Sequence, residues 1–126
     1  MALNDPVASA LSKINNAERV GKAQVSYSPV STQIKRIFEI LKDNQYIGGY
    51  EQKDMQLTIN LLHTINKIGA IKPRFAFKKT DYQKVEKQYL PAKDFGIIIV
   101  TTPQGIMTLD EAKQKGIGGK LIAYCY

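Results

Sequence analysis

The run IIIVTTPQGIMTLDEAKQKGIGGK, residues 97–120, passes from four branched aliphatic residues into two threonines, a proline, a glutamine and a glycine. A second glycine-rich turn, ending in a lysine, follows soon after. With the preceding Phe95 and Gly96, the apolar part predicts a continuous strand buried on both faces. Thr101 and Thr102 close that strand with hydroxyls, and Pro103, Gln104 and Gly105 have the chemistry of a tight turn. Thr108 with Glu111 fits a capping box and predicts a short helix over 109–115. KLIAYCY, at the end of the chain, reads as a last strand. The C-terminal half is therefore a strand-rich lobe with a mostly antiparallel sheet.

Outward from this core, Thr80 with Gln83 fits a second capping box and predicts a helix over roughly 81–89. IKPRFAF, interrupted by Pro73, gives a pair of short extended pieces. The N-terminal half opens with a helix whose ends are both marked. Asp5 can cap it, Pro6 suits its first turn, Gly21 can close it, and Val7, Ala10, Leu11, Ile14 and Ala17 share one face. A strand follows around Ala23 to Tyr27. Pro29 and Ser31 introduce a second helix with Ile34, Ile37, Phe38 and Leu41 as its buried stripe and Asn44 at its end. Two extended runs then meet at a turn near Gln52 to Asp54. In the second, Leu57, Ile59, Leu61 and His63 alternate with Thr58, Asn60 and Leu62. The expected class is α+β, as two small α/β lobes: residues 1–64, helix-strand-helix-hairpin, and residues 65–126, strand-rich.

A chain of 126 residues buries roughly two thirds of its unfolded surface on folding, enough for a core without disulfides or metal. Its single cysteine, Cys125, agrees. No apolar stretch approaches the roughly 18 residues of a membrane span. The expected setting is soluble and cytoplasmic. Eighteen basic against eleven acidic residues give a net charge of +7. Within residues 65–93, Lys67, Lys72, Arg74, Lys78, Lys79, Lys84, Lys87 and Lys93 face only Asp81 and Glu86, a local excess of +6. Charge concentrated in this way points to a polyanionic partner, nucleic acid first.

Catalytic chemistry finds little support. His63 is the only histidine, on a strand face otherwise aliphatic, so nucleophilic catalysis has no base. The acidic residues sit among lysines, as in QKVEKQ and DEAKQK, and form no carboxylate pair or metal cluster. GIGGKL fails the nucleotide-loop pattern because Gln114 and Leu121 stand where glycine and a hydroxyl residue belong. Gly118 and Gly119 keep two readings open: backbone brought close to an anionic partner, or a plain helix-to-strand turn. Thr101, Thr102 and Gln104 suit RNA, whose shallow minor groove displays 2′-hydroxyls and base edges. On that reading the two threonine hydroxyls face the partner instead of closing their own turn.

NDPVASALSKINNAERVGK, PVSTQIKRI, DNQYIG, INKIGAIKPRF, YLPAKDFGIIIVTTPQGIM and EAKQKGIGGKLIAYCY, in this order, resemble ribosomal protein eight of the small subunit in its archaeal and eukaryotic form. The resemblance covers nearly the whole chain. It implies a non-enzymatic structural constituent of the small ribosomal subunit and a primary binder of small-subunit ribosomal RNA. The target it implies is an irregular helix of the RNA central domain, stabilised early in assembly. Neighbouring small-subunit ribosomal proteins would be further partners, with no cofactor, metal, membrane or small-molecule substrate.

The family's hydroxyl-rich loop corresponds to Thr101, Thr102, Pro103, Gln104 and Gly105, with Pro103 a departure that removes a hydroxyl and an N–H donor. Gly118, Gly119 and Lys120 match its glycine pair before the last strand. Pro29 and Ser31 match a motif that approaches a second RNA segment; Thr32 replaces its usual lysine, and Lys35 and Arg36 can supply phosphate contacts. The hairpin between Tyr50 and Leu57 is shorter than in relatives, which implies a blunt tip without RNA contact. Lys72, Arg74, Lys78, Lys79, Lys93 and Lys120 are the expected phosphate contacts, and Thr101, Thr102 and Gln104 the expected readers. The competing reading is a basic nucleic-acid binder without site specificity.

Overall fold

The computed structural model describes residues 6–27, 32–54, 56–71, 76–78, 80–91 and 96–126, with side chains from Ala8 onward. The chain divides into two compact units, Met1–Ile68 and Gly69–Tyr126. Its class is α+β: the described residues form helices and antiparallel sheets in similar measure.

In the first unit, α1 (Pro6–Arg19), β1 (Gln24–Tyr27), α2 (Thr32–Asp43), β2 (Ile47–Lys53) and β3 (Gln56–Leu61) follow the order expected. The helical stripes are buried where the 3.6-residue period places them: Ala10, Leu11, Ile14 and Ala17 on α1, and Ile34, Ile37, Phe38 and Leu41 on α2. The Asp5 cap, the side chain of Val7, and Pro29 and Ser31 lie outside the described residues. α1 ends as Gly21 predicts. That glycine adopts φ 76°, its N–H donates to Glu18 O, and the N–H of Lys22 donates to Ala17 O. The end of α2 uses the same hydrogen bonds without glycine. Asn44 Nδ2 donates to Ile40 O at 2.8 Å, and Gln45 takes the left-handed turn at φ 64°.

β3 lies between β1 and β2 in an antiparallel sheet. Leu57, Ile59 and Leu61 are buried on one face, while Thr58 and Asn60 meet Ser26 and Gln24 on the other. His63 does not continue the alternation. The strand stops at Leu61, and His63 is exposed with φ 59°. Once the ladder ends, the chain turns and the period of two carries no information about the face.

The second sheet has the order β4 (Ile68–Ala70), β8 (Gly119–Cys125), β6 (Ile97–Thr102), β7 (Gly105–Thr108), with β5 (Ala76–Phe77) also paired to β8. β6 is central, and Ile98, Ile99 and Val100 are all buried, as a strand covered on both faces requires. β8 carries one extra residue, Ile122, in its ladder with β6. β7 was not expected: GIMT is too short to show a period. It pairs Gly105 with Thr102 and Thr108 with Ile99, making a two-residue hairpin turn of Pro103 and Gln104.

α3 (Tyr82–Tyr89) and α4 (Leu109–Lys115) complete this unit. Thr108 caps α4 by accepting the Glu111 N–H at 3.2 Å. Gly116, at φ 69°, closes that helix. The Thr80–Gln83 box does not form. Asp81 occupies the cap position of α3 and makes no side-chain bond to the helix; its carboxylate accepts the Lys78 N–H instead, at 2.9 Å. Tyr82, buried, donates its hydroxyl proton to Ile117 O at 2.7 Å and so ties α3 to the turn after α4. Tyr124 stacks between Tyr89 and Tyr126, with ring centroids 6.1 and 6.2 Å away.

The turn into β8 is where the backbone packs most tightly. A Cβ on Gly118 would stand 2.5 Å from Phe77 O and 3.3 Å from Lys78 Cα. One on Gly119 would strike Thr101 O and stand 3.2 Å from Thr102 Cα. Gly119→Ala is expected to lower the unfolding free energy by about 1–3 kcal/mol, because backbone cannot yield as a side chain does. Gly49→Ala, whose Cβ would meet nothing within 4 Å, is expected to be neutral or slightly stabilising. Denaturant midpoints of the two variants check both.

Candidate RNA interface

The two threonines at the end of β6 have different roles. Thr102 Oγ1 donates to Gly105 O at 2.9 Å and accepts the Gln104 N–H at 3.1 Å. Its only proton is therefore committed to the hairpin turn, and one lone pair remains. Pro103 explains why the N–H comes from Gln104: proline has none to offer. The expectation that both hydroxyls are free of the turn therefore fails for Thr102. Thr101 makes no hydrogen bond through its hydroxyl to any described residue, and it is half-buried.

The sheet places a cation beside that hydroxyl. Thr101 is directly opposite Lys120 on β8 and opposite Ile106 on β7, while Lys120 is opposite Ala76 on β5. Residues opposite each other in an antiparallel ladder share a face, with Cβ atoms about 4.5–5.5 Å apart. A row of Ile106, Thr101, Lys120 and Ala76 therefore crosses four strands. Lys120 is exposed, as are Gln104 and Gly105 at the hairpin tip. Gly105 needs its lack of side chain, since its φ is 116°.

Gly118 and Gly119 hold this row together. The pair lies in the turn from α4 into β8, and what approaches it closely is the protein's own backbone: β5 on one side, β6 on the other. Lys78 belongs to the same end of the sheet. Its Cα faces Gly118, its side chain is exposed, and its backbone is fixed at both groups, N–H to Asp81 Oδ2 and C=O to Asp81 N–H. Lys72, Arg74, Lys79 and Lys93 lie outside the described residues, as does Ser31.

Lys35 and Arg36 stand on α2 in the first unit, both half-exposed. Arg36 Nη1 is 3.6 Å from Glu39 Oε2, and the other oxygen of that carboxylate accepts the Tyr50 hydroxyl at 3.2 Å. Partial burial pushes the Tyr50 hydroxyl above its ordinary pKa, and the Glu39 and Asp43 charges add to the effect. Arg36 is thus already partnered before any phosphate arrives. Lys35 is the less encumbered of the two.

Among the described residues no three of His, Cys, Asp and Glu come together as metal ligands. No helix there is long and apolar enough to cross a membrane. The residue pair that sequence reasoning did not join is Thr101 with Lys120. Each was a candidate, but only the β6–β8 register makes them neighbours, and the bulge at Ile122 sets that register.

The family model for ribosomal protein S8 matches residues 5–126, almost the full chain. That family consists of structural, non-enzymatic proteins of the small ribosomal subunit, which bind ribosomal RNA and work in translation. With the hairpin, the glycine pair and Lys120 all inside the matched region, the chain belongs to the ribosomal protein S8 family.

Proposed function

We propose that this protein is a primary binder of an irregular helix in the central domain of small-subunit ribosomal RNA, acting during subunit assembly, and that it is of the archaeal and eukaryotic type. The observation that carries this reading is the Thr101 hydroxyl, unpartnered among the described residues, directly opposite exposed Lys120. A hydroxyl both donates and accepts, so it can read a 2′-hydroxyl or a base edge, while an adjacent ammonium binds the phosphate beside it. A regular A-form helix shows the same 2′-hydroxyls at every step. A distorted one offers base edges at a single place, and discrimination comes from matching that place.

The labour divides between the two kinds of group. Gln104 and Gly105, at the rigid tip, add an amide and an accessible backbone. Thr102 acts chiefly by holding this tip in shape, with one lone pair left for a donor from RNA. Lys120 and Lys78, with Lys72, Arg74 and Lys79 close to Lys78 in sequence and Lys93 further on, supply counter-charge, and residues 65–126 are the RNA-binding lobe. Lys35, Arg36 and Ser31 would meet a second RNA segment, with Lys35 contributing more than Arg36. Neighbouring small-subunit proteins complete the setting.

Three variants separate these roles by affinity for the central-domain helix and for a regular duplex. Thr101→Val is expected to lose about 1 kcal/mol or more on the irregular helix and nothing on the duplex, with unchanged stability. Thr102→Val removes two turn hydrogen bonds, so it should cost about 1–2 kcal/mol of folding stability, and its loss of affinity should track that of the turn. Lys120→Ala should weaken both RNAs and flatten the dependence of log affinity on log salt by about 0.7–0.9. Equal losses on both RNAs for Thr101→Val would leave only the non-specific basic binder standing.

A further inference from the structure

The first sheet ends at β1, whose outer edge pairs with no strand among the described residues. Leu61 N–H donates to Ala23 O, so the alternation of an antiparallel ladder turns Val25 and Tyr27 toward β3. The backbone N–H and C=O groups of Gln24 and Ser26 then point outward. Among the described residues, one side chain meets them: Lys13 Nζ donates to Ser26 O at 3.4 Å and lies 5.7 Å from the centre of the Tyr27 ring.

Between this edge and α1 runs a groove. Ala17, Val20 and Val25 are the apolar part of its lining, beside Asn16, Gln24 and Ser26, and Val20 is 69 % exposed. Lys13 and Lys22 are the only charged residues among those described along it, and both are basic.

We propose that the β1 edge and its groove receive an extended, acidic segment of a neighbouring protein, which adds to the sheet as a fourth strand. The outward donors and acceptors recur every second residue, about 6.6–6.8 Å apart, the repeat of a peptide backbone. Such a strand places alternate side chains over the groove. The one opposite Val25 packs on Val25 and Val20 and is apolar. The one opposite Tyr27 meets Lys13 and is acidic. As the incoming N–H takes over Ser26 O, the Lys13 ammonium moves to that carboxylate, so the charge keeps a partner throughout. Until then the lysine blunts the edge against pairing with other copies of the chain. A nucleic acid would use the two lysines and the outward N–H groups, but would leave the apolar lining and the regularly spaced carbonyls without matching partners.

The test uses the intact, ¹⁵N-labelled protein and a short acetylated peptide in which threonine alternates with valine and glutamate. Binding is expected to shift the amide signals of Gln24 and Ser26 and to slow their hydrogen exchange. The same peptide N-methylated on the residues facing β1 is expected to leave them unmoved. Ser26→Pro removes an outward N–H that β3 does not use, so its melting temperature should stay near that of the parent while peptide affinity falls by about tenfold. Equal binding of the methylated peptide, or shifts confined to other residues, would overturn the proposal. So would shifts of Gln24 and Ser26 with an RNA duplex and none with the peptide, which would make the groove a nucleic-acid surface.

Discussion

The contact on which the second unit depends is backbone against backbone: Gly118 against Phe77 and Lys78, and Gly119 against Thr101 and Thr102. No side chain mediates it, so its geometry is fixed by hard repulsion and by the ladder hydrogen bonds, both steep functions of distance. Three strands converge there. The close approach locks the register, set by the bulge at Ile122, that makes Lys120 the neighbour of Thr101, and it carries the hairpin tip on a strand whose residues before Thr101, Ile98 to Val100, are buried. A site built this way is rigid without being strained, which suits recognition of a shape.

Rigidity has a second source in the turn itself. Pro103 fixes one backbone angle and Thr102 bonds across the turn, so the tip has little conformational freedom left to lose on binding. Pro103 thus gives up a backbone N–H donor in exchange for order. Charge plays the complementary part. On the proposed reading, lysines at the same end of the sheet would raise affinity for any RNA, and the fixed hydroxyl would make one RNA preferable.

Much of this was legible in the sequence because the signals were local and strong. Helical stripes, Gly21 as a helix end, the Thr108 cap and the apolar strand all act within a few residues, and each formed as expected. The failures were places where a local pattern met a nonlocal competitor. Thr80 had the right spacing for a cap, but Asp81 won the position because its carboxylate could hold the Lys78 N–H. His63 fitted a strand period that had already ended. Thr102 had the composition of a binding residue, and the turn claimed it. The adjacency of Thr101 and Lys120 depended on a bulge that no pattern in the sequence announces, which is why the two were seen as separate candidates.

The central claim is that Thr101 and Lys120 act on RNA as one unit, because the glycine pair holds them side by side. A double-mutant cycle on affinity for the central-domain helix, with Thr101→Val and Lys120→Met alone and together, measures that directly. A coupling above about 0.5 kcal/mol, absent on a regular duplex, is the result the account predicts. Losses that simply add would contradict it, and would mean that the hydroxyl and the ammonium contact the RNA independently or that one of them does not contact it at all.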